Sequence, residues 1–130
     1  MKRESVCDVV ERHFEFENPE QINRVIETFS DDIVWEAPAR NLYLTNHDEI
    51  VAQYRKIIAG VIAPDMEVLH RFARGDEFFD DRILHFTAAK GNVWGIEPGK
   101  KASLRLAHYF KVKNDKICHE IGYEMWRVMN

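Results

Sequence analysis

The spacing of apolar residues in this chain changes from a helical period to a period of two near Pro64. Before that proline, apolar residues recur three and four positions apart in three segments. After it, apolar and polar residues alternate through four stretches, at about 66–74, 78–90, 102–113 and 116–127. Alternation places successive side chains on opposite faces of a strand, whereas spacings of three and four form one stripe on a helix. Helices followed by a run of strands predict an α+β fold with a mostly antiparallel sheet.

Three helices and two short strands are predicted before Pro64. The first helix has its inner stripe at Val6, Val9, Val10, His13, Phe14 and Glu17. Asn18-Pro19 ends this helix, and Asn18 caps a second one whose stripe is Ile22, Val25, Ile26 and Phe29. Strands are expected at 33–37 and around 42–44. Asn46 or Asp48 caps the third helix, which runs to Gly60.

The predicted strands are long for a chain of 130 residues, so the sheet should curl. Three helices can close one mouth of such a sheet, which predicts a cone with an internal pocket in a single domain, 1–130. The 18 basic and 22 acidic residues give a net charge of −4 without a run of five like charges, which argues against nucleic-acid binding. No apolar run reaches the ~18 residues of a membrane span. Cys7 and Cys118 are isolated, which indicates a reducing, cytoplasmic setting.

Four stretches carry a family resemblance: 27–38 (ETFSDDIVWEAP), 48–55 (DEIVAQYR), 95–99 (GIEPG) and 108–117 (HYFKVKNDKI). In order and spacing they resemble the nuclear-transport-factor-2-like superfamily, and within it the SnoaL-like polyketide cyclases and ketosteroid isomerases. The resemblance extends over nearly the whole chain and implies the cone of a cystatin-like α+β roll. The superfamily includes isomerases, cyclases, hydrolases and dehydratases, and also proteins without catalysis, so the fold alone does not fix the function.

At the positions that match the functional residues of the isomerases, this chain mostly has other residue types. Those enzymes abstract a proton with an aspartate just before the proline of the first strand, where this chain has Ala37. Their oxyanion hole, built from a tyrosine and a protonated acid, falls on His13 and His108. The tyrosine that supports it matches Tyr54.

The resemblance to the cyclases falls on the last strand. The acid/base aspartate of those enzymes is replaced by Gly122, which Glu120 and Glu124 flank. The base of both enzyme types is therefore absent from its usual position.

The register of the last hairpin decides which of these side chains line the cavity. A two-residue turn at 114–115 puts His108 opposite Ile121, whereas a three-residue turn with a bulge puts His108 opposite Glu120. A slip of one residue moves every side chain to the other face. The spacing of apolar residues favours the first register, and the resemblance favours the second, which we adopt.

In the adopted register His108, Glu120 and Glu124 point into the cone, and Gly122 leaves room for a ligand. Two carboxylates and an imidazole in a partly dry cavity can differ in pKa and share acid and base roles. We therefore predict that His108, Glu120 and Glu124 are catalytic. In the alternative interpretation, both glutamates are surface residues that pair with basic residues of the neighbouring strand.

The residues predicted to bind the ligand are His13, Trp35, Tyr54, Phe110 and Gly122. His13 and Tyr54 lie on the inner stripes of the first and third helices, where a hydrogen bond between them would fix the imidazole tautomer. The sequence has no Gly-rich phosphate loop and no His-Glu-x-x-His spacing, so we expect neither a cofactor nor a metal.

These features predict a small-molecule enzyme with cofactor-independent acid/base chemistry: cyclisation, isomerisation, dehydration or hydrolysis of an apolar, oxygen-bearing substrate. One alternative is a non-catalytic module with the same cone, used for ligand binding or dimerisation. Another is a protein-binding domain whose pocket is filled by side chains.

The outer face of the sheet predicts a partner. In the adopted register it exposes an apolar strip of Tyr109, Ile117, Ile121, Tyr123 and Met125. Monomeric proteins rarely leave so large an apolar strip in water. We therefore predict a homodimer through the convex sheet face, with no membrane or nucleic-acid partner.

Overall fold

The computed structural model describes residues 5–129. Its α-helices are α1 (Val6–Glu15) and α2 (His47–Ala59), and 3₁₀ helices lie at Ile22–Thr28 and Pro38–Arg40. The strands are β1 (Phe29–Ala37), β2 (Leu42–Leu44), β3 (Val61–Arg74), β4 (Glu77–Ala88), β5 (Lys101–Lys113) and β6 (Lys116–Val128). They form one curved sheet in the order β2-β1-β6-β5-β4-β3, with β1 and β6 parallel and all other neighbours antiparallel. The predicted α+β fold is confirmed.

Side-chain caps fix the starts of both α-helices. Ser5 Oγ accepts a hydrogen bond from the Asp8 N–H at 3.1 Å, and Asp8 accepts one from the Ser5 N–H at 3.3 Å, which completes a capping box. Asn46, the first of the two predicted caps, accepts from the Glu49 N–H at 3.0 Å. Gly60 follows the last turn of α2, as the sequence predicts.

The second predicted helix is a 3₁₀ helix, Ile22–Thr28, rather than an α-helix. Its buried residues, Ile22, Val25 and Thr28, are three positions apart, which is the repeat of a 3₁₀ turn. Ile26, which the helical stripe places inside, is 38% exposed. Before this segment, Asn18 Oδ1 accepts from two successive backbone N–H groups, of Glu20 and Gln21, and holds the chain in a turn.

The last hairpin follows neither of the two predicted registers. Its turn has two residues, Asn114 and Asp115, both with positive φ (51° and 62°), and pairs Lys113 with Lys116. A bulge at Cys118 then shifts the pairing, so that His108 lies opposite Gly122. The predicted inner face of His108 and Gly122 is right, because the observed and adopted registers differ by an even number of positions.

Because of this bulge, the prediction is wrong for one residue of the outer strip, Ile117. Ile117 is fully buried in the core between the helices and the sheet, together with Ile33 and Phe110. A second core cluster joins β4 and β5 to the loop that links them, through Leu84, Trp94 and Leu104. Within residues 5–129, no helix is long and apolar enough to cross a membrane.

Candidate active site

A cavity of about 520 Å³ is lined by the end of α1, by α2 and by the inner face of the sheet. Its wall is mostly apolar, and it carries six of the predicted site residues: Trp35, Tyr54, His108, Glu120, Gly122 and Glu124. His13 and Phe110 are fully buried and do not line the cavity. Among residues 5–129, no group of three or more His, Cys, Asp or Glu side chains could hold a metal ion.

Both glutamates of β6 face inward. Glu120 is 2% exposed and Glu124 is 8% exposed, so the interpretation that makes them surface residues is wrong. Arg105, a basic residue of the neighbouring strand, pairs instead with Asp81 on the outer face, at 2.6 Å. Between the glutamates, a Cβ on Gly122 would lie 3.9 Å from the His108 ring, so any longer side chain there would enter the cavity.

Five buried side chains form a hydrogen-bonded network that we call the floor cluster: His13, Thr28, Trp35, Tyr54 and Glu120. His13 Nδ1 lies 2.9 Å from Thr28 Oγ1, and His13 Nε2 lies 3.0 Å from the Tyr54 hydroxyl, as predicted from the helical stripes. The Tyr54 oxygen also accepts from Trp35 Nε1 at 3.2 Å. It lies 2.9 and 2.8 Å from the two carboxyl oxygens of Glu120.

The donors and acceptors of this cluster fix its protons. Thr28 donates its own hydroxyl proton to the Val25 carbonyl at 2.6 Å, so it accepts from His13 Nδ1–H and leaves a lone pair on Nε2. The single hydroxyl proton of Tyr54 cannot serve both this lone pair and an ionised Glu120. A protonated Glu120 supplies the missing donor, and then every polar group of the cluster is satisfied.

The pKa directions agree with this proton count. Burial lowers the pKa of His13 to about 3 and raises the pKa of Glu120 to about 8. Burial, followed by the charge of Glu120, raises the pKa of Tyr54 well above its ordinary value. Near pH 7 the floor cluster is therefore uncharged, with a protonated carboxyl beside a phenol.

Glu17, just beyond α1, is a further carboxyl of the cavity wall. Its Oε2 lies 3.9 Å from His13 Nε2, and burial raises its pKa to about 7. The sequence places Glu17 on the inner stripe of the first helix, four residues after His13, but we did not predict it as a site residue. That spacing is the signal that could have identified it.

A second network, the Asp80 cluster, consists of Arg71, Asp80, Arg82 and His108. Asp80 is fully buried and accepts hydrogen bonds from Arg71 Nε at 2.9 Å and from Arg82 Nε. His108 Nδ1 lies 3.4 Å from the same Asp80 oxygen that Arg82 contacts. Burial acts to raise the pKa of Asp80, but the hydrogen bonds from His108 and Arg82 outweigh it and hold the pKa well below its usual range.

The Asp80 carboxylate orients the imidazole of His108. An ionised acceptor beside Nδ1 keeps the proton on that nitrogen, which leaves a lone pair on Nε2. Among residues 5–129, the hydrogen bond of His108 is made through Nδ1, which leaves Nε2 available to a ligand. Burial lowers the pKa of His108, so the ring is neutral near pH 7. Phe110 stacks on this ring at 5.5 Å and thus supports a cavity residue from behind.

Glu124 is held by an arginine that the sequence did not indicate as a site residue. Arg40, in the 3₁₀ helix after β1, donates to Glu124 from Nε at 2.7 Å and from Nη2 at 3.4 Å. Its third nitrogen donates to Gln53 of α2 at 3.1 Å. The Arg40–Glu124 ion pair carries no net charge. The catalytic role of Glu124 stays a prediction.

Asp80 and Arg82 could have been recognised from their position. In β4, the run Asp80-Asp81-Arg82 separates the apolar pair Phe78-Phe79 from the apolar pair Ile83-Leu84. Because faces alternate along a strand, one side of this charged run must enter the core. Charges placed in a core require partners, and partners in a cavity indicate a functional site.

Comparison with known families assigns this chain to one of them. The family model of the SnoaL-like domain matches residues 10–120. The chain therefore belongs to the SnoaL-like domain family, within the nuclear-transport-factor-2-like superfamily that the sequence resembles. No curated protein matches this chain.

Solved structures agree on the fold. A nuclear-transport-factor-2-like protein from Burkholderia thailandensis has a TM-score of 0.76 at 18% identity, over 96% of this chain and 92% of the other. A putative SnoaL-like polyketide cyclase from Jannaschia has a TM-score of 0.79 at 13% identity, over 95% and 91%. An epoxide hydrolase from M. tuberculosis has a TM-score of 0.67 at 14% identity, over 92% and 82%. At such identities the likeness concerns the fold alone.

Proposed function

We propose that this protein is a small-molecule enzyme that performs cofactor-independent acid/base chemistry on an apolar, oxygen-bearing substrate. One observation carries the proposal: two proton carriers with opposite roles, the free Nε2 of His108 and the protonated carboxyl of Glu120, meet at one largely apolar cavity. Two similar structures are named as a putative SnoaL-like polyketide cyclase and an LEH-like epoxide hydrolase, and these names support a small-molecule enzyme.

In the proposed reaction, His108 Nε2 removes a proton from a carbon next to a substrate carbonyl. The carbonyl oxygen gains a proton from the protonated carboxyl of Glu120, while the Tyr54 hydroxyl keeps its hydrogen bond to His13 Nε2. The substrate becomes an enol, while His108 ends as imidazolium and Glu120 as carboxylate. Ring closure, isomerisation or loss of water can proceed from the enol. Afterwards His108 gives up its extra proton and Glu120 regains one, which restores the starting state.

Hydrogen–deuterium exchange of a model ketone tests the proposal. We expect the protein to accelerate the exchange of the α-protons of 2-tetralone in D₂O, followed by NMR. His108→Gln should slow the catalysed exchange by ~10²–10⁴-fold, the usual contribution of a general base. His85→Gln, an exposed histidine of β4, is the matched control and should leave the rate unchanged.

Two results would count against an enzyme. If the wild-type protein binds the ketone without exchanging its protons, the non-catalytic ligand-binding module becomes the better interpretation. If His108→Gln exchanges as fast as the wild type, the base is a different group, and Glu17 is the next candidate because burial raises its pKa to about 7.

We also propose that the protein is a homodimer through the convex sheet face. Tyr123 and Met125 are 51% and 71% exposed on β6, beside the partly buried Ile121 and Tyr109. A two-fold axis would bury this apolar strip against itself. Light scattering at micromolar concentration should give twice the chain mass of 15.3 kDa, and Met125→Glu should halve it. A wild-type monomer would contradict the proposal.

We further propose that the protein is cytoplasmic, which the free thiols of Cys7 and Cys118 suggest.

A further inference from the structure

Arg82 is a buried arginine with an unused donor. The residue is 8% exposed and lines the cavity, and its guanidinium carbon lies 4.0 Å from the centroid of the Phe14 ring, which lines it too. Its Nε is bound to Asp80, but its Nη2 is buried without a hydrogen-bond partner among residues 5–129. An unpaired donor on a buried cation is costly, which points to a missing acceptor.

The charges around Arg82 indicate what that acceptor is. Asp80 is shared by two guanidinium groups, Arg71 and Arg82, so the pair of arginines exceeds its carboxylate by one positive charge. Two other acids of the cavity wall interact electrostatically with Arg82, Glu17 and Glu120, but burial raises their pKa values to about 7 and about 8, which favours their neutral forms. Glu124 is paired with Arg40. The wall of the cavity at Arg82 is therefore electropositive, although the chain as a whole carries −4.

We propose that Arg82 binds a carboxylate group of the substrate through Nη2, so that the substrates of this enzyme are apolar acids. This inference rests on the proposed function, because it names the substrate class of the same cavity. Arg82 and His108 contact the same Asp80 oxygen, so a carboxylate at Arg82 would bring the adjoining carbon chain next to His108. The fixed fork of a guanidinium suits a carboxylate, and the Phe14 ring gives the apolar body a surface on which to pack.

Calorimetry with two probes of almost equal shape tests the inference. We expect 1-naphthaleneacetate to bind the wild-type protein about 10- to 100-fold more tightly than 1-naphthaleneacetamide, the range for hydrogen bonds to charged groups. Equal affinities, or no binding of the acid at millimolar concentration, would overturn the proposal. This comparison uses only the wild-type protein, so it does not depend on whether a variant folds.

A pair of variants locates the preference. Arg82→Gln removes the excess positive charge and the unused donor but leaves Asp80 paired with Arg71, and it should abolish the preference for the acid. Arg105→Gln is the matched control, since Arg105 also donates two hydrogen bonds to an aspartate but lies on the outer face. A preference that persists in folded Arg82→Gln would overturn the proposal. If Arg82→Gln does not fold, the wild-type comparison of the two probes still decides the proposal.

The ketone exchange assay separates this inference from the proposed function. Tight, Arg82-dependent binding of the acid without exchange of 2-tetralone would support the carboxylate site and count against the enzyme. Exchange of 2-tetralone without a preference for the acid would support the enzyme and overturn the carboxylate site.

Discussion

The floor cluster and the Asp80 cluster each contain a buried acid, yet the two acids are in opposite protonation states. Glu120 is 2% exposed and burial raises its pKa to about 8, whereas Asp80 is fully buried and its pKa lies well below the usual range. Burial acts in the same direction on both carboxyls. Asp80 differs because guanidinium groups bond to it, while the hydrogen-bond partner of Glu120 is a phenol.

The contrast between Glu120 and Asp80 shows how one small cavity can offer both an acid and a base. A carboxyl without a counter-charge keeps its proton and can donate it, whereas a carboxylate held by arginines stays ionised and can only accept. The ionised Asp80 orients the neighbouring imidazole as a base, and the neutral Glu120 can act as the acid. The protonation states therefore follow from the choice of neighbours and not from depth in the protein.

The largest expected effect comes from removing the charge of Asp80. Asp80→Asn leaves the buried guanidinium of Arg82 without its counter-ion, so we expect the free energy of unfolding to fall by ~3–5 kcal/mol. Urea denaturation at pH 7 measures this loss. The control is Asp81→Asn, the next residue on β4, whose partners His70 and Arg105 are exposed, and its effect should be in the small range of surface pairs. Equal losses would show that the Asp80 cluster is not a buried ion network.

A second effect, of comparable size, should appear in the pH dependence of stability. Between pH 4.5 and 8 the unfolded chain ionises Glu120 but the folded protein does not, so the contribution of Glu120 to stability should fall as pH rises through this window and level off above it. Each unit of pKa difference corresponds to ~1.4 kcal/mol. Glu120→Gln, which imitates the neutral acid, should reduce this slope in denaturation curves at pH 5 and pH 8.

The matched control for that measurement is Glu27→Gln. Glu27 is exposed and its hydrogen bond from Arg24 lowers its pKa, so it titrates below the window and its replacement should leave the slope unchanged. A slope as steep in Glu120→Gln as in the wild type would mean that the floor cluster contains an ionised Glu120.

The smallest expected effect concerns the Thr28 hydroxyl. Thr28→Val keeps the shape of the side chain but removes the acceptor of His13 Nδ1–H, which should cost ~1–3 kcal/mol. Thr87→Val, at a half-buried threonine of β4, should change stability by less than ~0.5 kcal/mol. In ¹⁵N NMR, the wild-type His13 should carry its proton on Nδ1 at pH 5.5, and the variant should lose that fixed tautomer. A fixed Nδ1–H tautomer in Thr28→Val would break the proposed proton count.

The sequence was sufficient to predict the architecture and the inward face of β6. The change of period at Pro64 predicts the order of helices and strands, because it follows directly from which side chains must be buried. His108, Gly122 and Glu120 were assigned to the correct face because that assignment depends only on whether the register is odd or even. The register itself depends on a bulge at Cys118, and no residue type there requires one.

The partners of the site residues were harder to predict. Thr28 and Arg40 come from 3₁₀ segments, and they meet His13 and Glu124 only after the sheet has curled. Hydrogen-bond partners 15 and 84 positions apart leave no local pattern in a single sequence. Asp80 and Arg82 were visible as charges inside an apolar strand, but their inward orientation required knowledge of the pairing of β4 with β5.

The bulge at Cys118 has a consequence for how this fold tolerates change. Ile117 and Glu120 both point inward although they are three positions apart, so β6 behaves as two strands joined out of phase. The segment before the bulge contributes Ile117 to the core, and the segment after it contributes Glu120, Gly122 and Glu124 to the cavity wall. We expect insertions or deletions in the turn at 114–115 to leave the pairing after Cys118 unchanged, and the loss of one residue at Cys118 to turn Glu120 and Glu124 toward the solvent. The bulge at Cys118 therefore separates the register of the site residues from the geometry of the turn. It is also the position in β6 where a one-residue change would disturb the site most.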